Sequence, residues 1–433
     1  MMNIFFKKQI FTLFFLFFFI FCKGQMDWAA KTYDYLNIYT KICCFDTIYV
    51  KDVSLCRNIL FFNKETRVAI SNYQDTLQIL KLKNGYYQGI VPNSLNPKEI
   101  GSFSYIFDWL PNSSDFFIIS TIIHEIFHSL QETIGLNPES YHNDHMDQDL
   151  ARTTVRLEWY YLKRAILYDT SNIKQNIDTA IFWRNYRRDN FRKYSSDENR
   201  FEIHEGLPKF FELKYTCPYF NRDLPEELIS FCEMVEYDTN INSSFIRSFG
   251  YCSGSMYSYL LDKYSSNWID VLDIDGDLAE LLSHKLDLDN SLFNNHLLYS
   301  KNDTYIRINQ EELNRKEKRL HYKDSLVNLY KTKTRLYFKL GENFIFNIDP
   351  NSINQLDSMM FIPHFEANDS WGIVKVFKGG GFFKDNYLVI LVDDKYLLKG
   401  NTIDLKNDYF EIELNPNWQF SIQNEKSFLL EGL

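Results

Sequence analysis

The chain has 433 residues, 45% of them hydrophobic and 24% charged, a globular composition that excludes disordered and collagen-like classes. That length exceeds one ordinary core, so two or three structural units are expected. A formal net charge of −10 argues against broad phosphate-backbone binding, because nucleic-acid binders carry a basic footprint.

In chain order, Lys7 and Lys8 precede an apolar run from Ile10 to Phe21 broken only by Thr12, and Cys22-Lys23-Gly24-Gln25 closes it. A basic start, about a dozen apolar residues and a small exit residue describe a signal peptide, whereas a spanning helix needs about twenty apolar residues. Residues 1–24 are therefore read as a signal peptide cleaved after Gly24, with a retained anchor as the alternative. The mature protein is then exported, to the periplasm, the cell surface or the medium. No later segment is long and apolar enough to span a membrane. Past Cys22 six cysteines remain, Cys43, Cys44, Cys56, Cys217, Cys232 and Cys252. None is spaced C-x-x-C, so some structural bridges among fifteen possible pairings, beside some buried thiols, are expected rather than a thiolate metal site.

Residues 25–111 mix short β-prone runs, such as Thr47–Val50 and Thr66–Ile70, with polar turns. Gly101–Leu110 reads as a strand whose edge can pair with an extended peptide. Asn112-Ser113-Ser114-Asp115 then offers capping side chains to a helix running from Phe116 to Thr133, where Gly135 and Pro138 stop it. From Leu150 to Thr332 helical spacing dominates, and the basic run Arg184, Arg187, Arg188 and Arg192 reads as a solvated helix face. Asn309–Lys333 is predicted to be a long linking helix. Beyond it, Phe344–Ile348, Ile373–Phe377, Tyr387–Val392 and Tyr409–Leu414 are β-rich runs separated by Gly, Asn and Asp. The predicted organisation is thus a mixed α/β part over 25–111, a helical domain over 112–332 and a β-rich domain over 333–433.

The chemistry lies in His124-Glu125-Ile126-Phe127-His128. Residues four apart share a helix face, so both imidazoles can reach one metal, and Glu125 can contact a water on it. Zinc lowers the pKa of such a water, and the glutamate accepts its proton during attack on a carbonyl. His128 is followed by Ser129-Leu130-Gln131, without the H-x-x-G-x-x-H extension, so the third ligand is a glutamate from another helix. Glu158 and Glu205 are the two candidates.

His124-Glu125-x-x-His128 followed by Glu205-Gly206-Leu207 resembles the gluzincin peptidases related to aminopeptidase N. Tyr251-Cys252-Ser253-Gly254 resembles their Tyr-x-Lys-Gly element. The wider stretch from Phe103 to Tyr264 is similar to exported bacterial peptidase-MA-like proteins. The resemblance implies an α+β fold with a mainly helical zinc-peptidase domain and Zn²⁺ held by His124, His128 and Glu205. It also implies Glu125 as general base, Tyr251 as oxyanion stabiliser, and a peptide or protein as substrate. Glu158 then becomes a supporting carboxylate or a buried partner for an arginine, Glu202 a structural residue and His204 a cleft residue. Residues 129 to 204 separate the ligand segments, more than in aminopeptidase N, so a helical insertion is expected to loop out. At that family's usual spacing the chain has Asp147, without the Gly-Leu that follows Glu205. Ser253 stands where the family has Lys, Pro208 where it has Ala and Phe210 where it has Tyr. No Gly-x-Met-Glu-Asn segment precedes the helix, which points to endopeptidase action or a specialised substrate. A zinc-bearing binding or envelope-assembly protein without turnover is the alternative reading. The polar cluster from His142 to Asp147 reads as a solvent loop rather than a second metal site. Asp273–Asp277 reads as a turn, and Gly379–Gly381 lacks the Lys-Ser/Thr of a phosphate loop.

Overall fold

A computed structural model describes residues 28–432 apart from 44–48, 109–112, 139, 170, 241–242, 289–301, 343, 349–352, 394–396, 399–401, 404 and 425. The expected signal peptide and its cleavage site lie outside the described residues, as does Cys44. The architecture is mixed, helical through most of the first two thirds and β-rich at the C-terminal end. The described residues fall within two compact units, one within Met1–His145, Thr154–Glu236 and Ser248–His296, the other within Met146–Thr153, Tyr237–Arg247 and Leu297–Leu433.

The first unit opens with helix α1, residues 28–43, and a five-stranded sheet. The sheet runs in the order Lys81–Lys83, Tyr86–Ile90, Val68–Ser71, Ile59–Phe62, Tyr105–Asp108. The last pair is parallel and the others antiparallel. Leu60, Phe62, Ala69, Leu80, Val91 and Ile100 form its core. Of the strand expected over 101–110, Tyr105–Asp108 forms and 101–104 do not, while 109 and 110 lie outside the described residues; the strand stands at the sheet edge.

Helix α2, Asp115–Thr133, follows. The Ser114 hydroxyl accepts a hydrogen bond from Phe117 N at 3.2 Å, closing one of the open donors of the first turn. Gly135, at φ +73°, ends it in the left-handed region. Its inner face is continuous apolar core: Ile118, Ile119, Ile122, Ile123, Ile126, Phe127 and Leu130 are buried. Each such side chain stabilises the helix position by about 1.5–3 kcal/mol, which fixes its rotation and hence where His124 and His128 point. Then come α3 (Asp149–Lys163), α4 (Ile173–Asn190), α5 (Ser195–Phe201) and a π-helical turn over Glu202–Gly206. After it follow α6 (Leu207–Tyr219), α7 (Leu224–Glu236), α8 (Phe249–Tyr264) and α9 (Leu278–Leu286).

In the second unit a seven-stranded and a four-stranded sheet share one core, which includes Leu336, Phe338, Ile362, Phe365, Val374 and Ile412. The long helix Asp303–Thr332 belongs to this unit, because Leu326 and Tyr330 pack with Leu356, Phe361, Phe382 and Val389. Asp147, the acid at the alternative ligand spacing, is bound in this unit by Arg319 at 2.8 Å and also faces Arg152 and Arg315.

The basic run predicted to be a solvated face is instead largely interior. Arg184 and Arg187 are fully buried, paired with Glu158, Glu198 and Glu202. His145 is likewise no loop residue. It is buried with Nε2 2.7 Å from Glu198 Oε1, and its ring stacks on Tyr194. No disulfide joins Cys43, Cys56, Cys217, Cys232 and Cys252 to one another, so the expected bridges are absent among these described cysteines. No helix among the described residues is long and apolar enough to cross a membrane.

Candidate metal centre

α2 presents His124 and His128 on one face, one turn apart, with Nε2 atoms 3.1 Å from each other. The π-turn brings Glu205 Oε2 to 3.5 Å from His124 Nε2 and 3.4 Å from His128 Nε2. Three ligands of a tetrahedral zinc at about 2.0–2.1 Å from the ion stand about 3.3–3.4 Å apart. The observed triangle of 3.1, 3.4 and 3.5 Å matches that spacing without rearrangement.

The hydrogen bonds around the triangle leave its three atoms for a cation. His124 Nδ1 is 2.7 Å from Glu212 Oε2 of α6, and an ionised carboxylate can only accept, so Nδ1 carries a proton and, in the neutral ring that would bind a metal, Nε2 carries the lone pair. His128 Nδ1 is 2.8 Å from Gln131 Oε1. The amide is oriented by its other end, since Gln131 Nε2 donates to the carbonyls of Ile203 at 2.9 Å and His204 at 3.1 Å. In the neutral tautomer this contact selects, His128 Nε2 also turns its lone pair inward. Glu205 Oε2 is buried and accepts no hydrogen bond. A buried, unpaired carboxylate oxygen opposite two imidazole lone pairs is costly unless a cation completes it. Two nitrogens and one oxygen also suit a metal of zinc type with an open fourth position.

Electrostatics point the same way. Without a cation, burial pushes the His124 imidazole down, but the neighbouring Glu205 and Glu212 carboxylates outweigh this and hold it up at about 9. Burial likewise pushes the Glu205 carboxyl up, yet His124, His128, His204 and Tyr251 hold it well below the usual carboxylate range. The pocket thus favours positive charge between the rings.

The local sequence explains the turn. Pro208 has no N–H, so no main-chain donor from that position can reach the carbonyls of Ile203 or His204. Gln131 supplies the missing donor to both. The π-turn adds the residue that swings Glu205 toward α2. Against its other side lies α8, and the contact needs glycine. A Cβ on Gly206 would sit 2.5 Å from Gly254 Cα, and one on Gly254 would sit 2.4 Å from the Glu202 carbonyl oxygen. This close approach brings α8, and Tyr251 on it, to the site. The Tyr251 ring stacks on His124 with centroids 5.8 Å apart and planes within 9°. Burial, then Glu205, push its phenol well above 10.

Glu125 is half-buried and makes no hydrogen bond or ion pair among the described residues. His204 lies beside the site, its Nδ1 3.3 Å from Glu205 Oε1 and 3.2 Å from the Tyr141 hydroxyl. The fold thus brings together His124, Glu125, His128, Glu205 and Tyr251. It does not bring Glu158, which is fully buried against Arg184, Arg187 and Tyr257. Among the described residues His124, His128 and Glu205 form the one cluster of His, Cys, Asp or Glu side chains able to hold a metal ion. Glu212 and Gln131 were missed by sequence reasoning. Gln131 was detectable as the residue one turn beyond His128, and Glu212 as the acid seven residues, two helical turns, beyond Glu205. The insertion does not loop out, because α4 and α5 pack their charges behind the π-turn.

Compared with known proteins, the chain matches no family model, no curated protein and no solved structure.

Proposed function

We propose that this chain is a zinc-dependent hydrolase of peptide bonds, of the gluzincin kind its ligand pattern resembles, with His124, His128 and Glu205 as the metal ligands. The observation that carries the reading is the triangle of two imidazole nitrogens and one orphaned carboxylate oxygen, with edges of 3.1–3.5 Å, beside an uncommitted Glu125. Zinc held there supplies Lewis acidity, lowering the pKa of water and polarising a carbonyl. Glu125 takes the proton of the attacking water and returns it to the leaving amine. Tyr251 donates its hydroxyl to the developing oxyanion. Glu212 and Gln131 hold the two imidazoles in the tautomer that leaves Nε2 free. Export after loss of residues 1–24 and a peptide or protein substrate belong to the same proposal. Because no Gly-x-Met-Glu-Asn segment is present to anchor a free amino terminus, the action proposed is endoproteolytic.

The test is hydrolysis of a random peptide library by zinc-loaded wild type and Glu125→Gln. The variant is expected to keep its zinc and to lose about 10²–10⁴-fold in rate, the range for a general base. Wild type that cleaves no faster than Glu125→Gln would leave a metal-bearing binding protein in place of an enzyme.

A further inference from the structure

Behind the candidate metal centre the first unit holds a second group of charges. α4 supplies Arg184, Arg187 and Arg188, α3 supplies Glu158, α5 Glu198, the π-turn Glu202 and the cap of α9 Asp277. Arg184, Arg187, Glu158, Glu198 and Glu202 are all 0% exposed. Their attachments differ. Arg187 donates to Glu158 Oε2 at 2.6 Å and to Glu198 at 3.0 and 3.2 Å, neither of which belongs to the turn.

Arg184 grips the turn itself. Nη1 lies 2.6 Å from Glu202 Oε1 and Nη2 2.5 Å from Oε2, a two-pronged pair whose planar geometry fixes direction as well as distance. The guanidinium is steadied by Glu158 Oε1 at 3.2 Å, Asn199 Oδ1 at 3.2 Å and Asp277 Oδ1 at 3.3 Å. On the opposite side the Glu202 carbonyl is pressed against Gly254. Glu202 is therefore held at both side chain and main chain, three residues before Glu205. A π-turn is a rare, isolated distortion of a helix, so outside contacts decide its shape.

We propose that Arg184 is a positioning residue for Glu205: by clamping Glu202 it fixes the π-turn, and with it the distance from Glu205 Oε2 to the two imidazoles. This rests on the reading of His124, His128 and Glu205 as a metal site. It gives the residues between the two ligand segments a task, delivery of a buried guanidinium to the back of the turn.

The test measures zinc affinity of the full chain by chelator competition, and the visible spectrum of the Co²⁺-loaded protein. It compares wild type, Arg184→Lys, Glu202→Gln and Arg187→Lys, with thermal unfolding of each metal-free protein alongside. Arg187→Lys is the control, since it weakens the same buried network without touching the turn. Arg184→Lys and Glu202→Gln are expected to bind zinc about 10–100-fold more weakly, the usual effect of removing an outer support, and to shift the cobalt bands. Arg187→Lys is expected to lose Tm comparably yet keep wild-type zinc affinity and spectrum. Should Arg184→Lys not fold, the near-isosteric Glu202→Gln carries the same expectation. The proposal is overturned if Arg184→Lys and Glu202→Gln bind zinc as wild type does, or if affinity across the variants follows Tm alone. A wild type that takes up neither zinc nor cobalt overturns the metal site itself, so the two failures are distinct.

Discussion

Replacing Gly206 with alanine would place a methyl carbon 2.5 Å from Gly254 Cα, 2.7 Å from the Gly250 carbonyl oxygen and 2.8 Å from the Gly254 carbonyl carbon. All three are main-chain atoms of α8, so no side chain can swing aside to make room. Carbon atoms rest at about 3.5–4.0 Å from one another, so the π-turn and α8 must separate by roughly 1 Å. Overpacking of this kind costs about 1–3 kcal/mol. The same displacement moves Glu205, on the turn, away from Tyr251, on α8, and a misplacement of about 1 Å in reacting groups can cost on the order of a hundredfold in rate. Urea unfolding of the metal-free protein measures the first effect, chelator competition the metal affinity and peptide hydrolysis the second. Gly206→Ala is expected to unfold at lower urea, to hold zinc more weakly and to lose more in rate than in substrate binding. An unchanged urea midpoint together with wild-type zinc affinity would refute the glycine contact as the device that sets the site.

Glu212→Gln removes the carboxylate that accepts from His124 Nδ1; zinc affinity should fall about 10–100-fold, read by chelator competition. Tyr251→Phe should keep zinc and lose about 10²–10³-fold in kcat, the scale of one oxyanion donor, with little change in metal content. Glu198 gives the pH dependence of stability. Burial pushes its carboxyl up, but Arg187, His145 and Arg188 hold it well below its ordinary 4.5. A depressed carboxyl contributes stability that is present above 4.5 and lost as pH falls through its folded-state value. Glu198→Gln should therefore cost about 3–5 kcal/mol at neutral pH, as for a broken buried pair, and the gap from wild type should narrow as pH falls below 4.5. Urea midpoints measured across pH check this, and a gap independent of pH would contradict it.

The parts legible in the sequence were those governed by local rules. α2 could be read because a capping serine, an apolar face of period 3.6 and a stop glycine agree along one short stretch. Tail strands such as Tyr387–Val392 could be read from their β-branched and apolar runs. The pairing of His124 with His128 follows from helix geometry alone. Parts set by distant partners were not legible. Arg184 and Arg187 look like a solvated basic face until Glu158 and Glu202 arrive from other helices. His145 sits in a polar string, yet Glu198 and Tyr194 enclose it. The π-turn has no periodicity of its own; Pro208 and Gly206 were its only local marks, and both make sense once Gln131 and Gly254 are seen against them. The long helix Asp303–Thr332 shows the same limit, since its buried Leu326 and Tyr330 meet strands that come later in the chain.

X-ray absorption at the zinc edge of the purified protein tests the centre most directly. The account predicts a first shell of two imidazole nitrogens at about 2.0–2.1 Å and a carboxylate oxygen at about 2.0–2.2 Å, with the imidazole signal halved in His128→Ala. Absence of zinc, sulfur scattering at about 2.3 Å, or the same first shell in His128→Ala would contradict it.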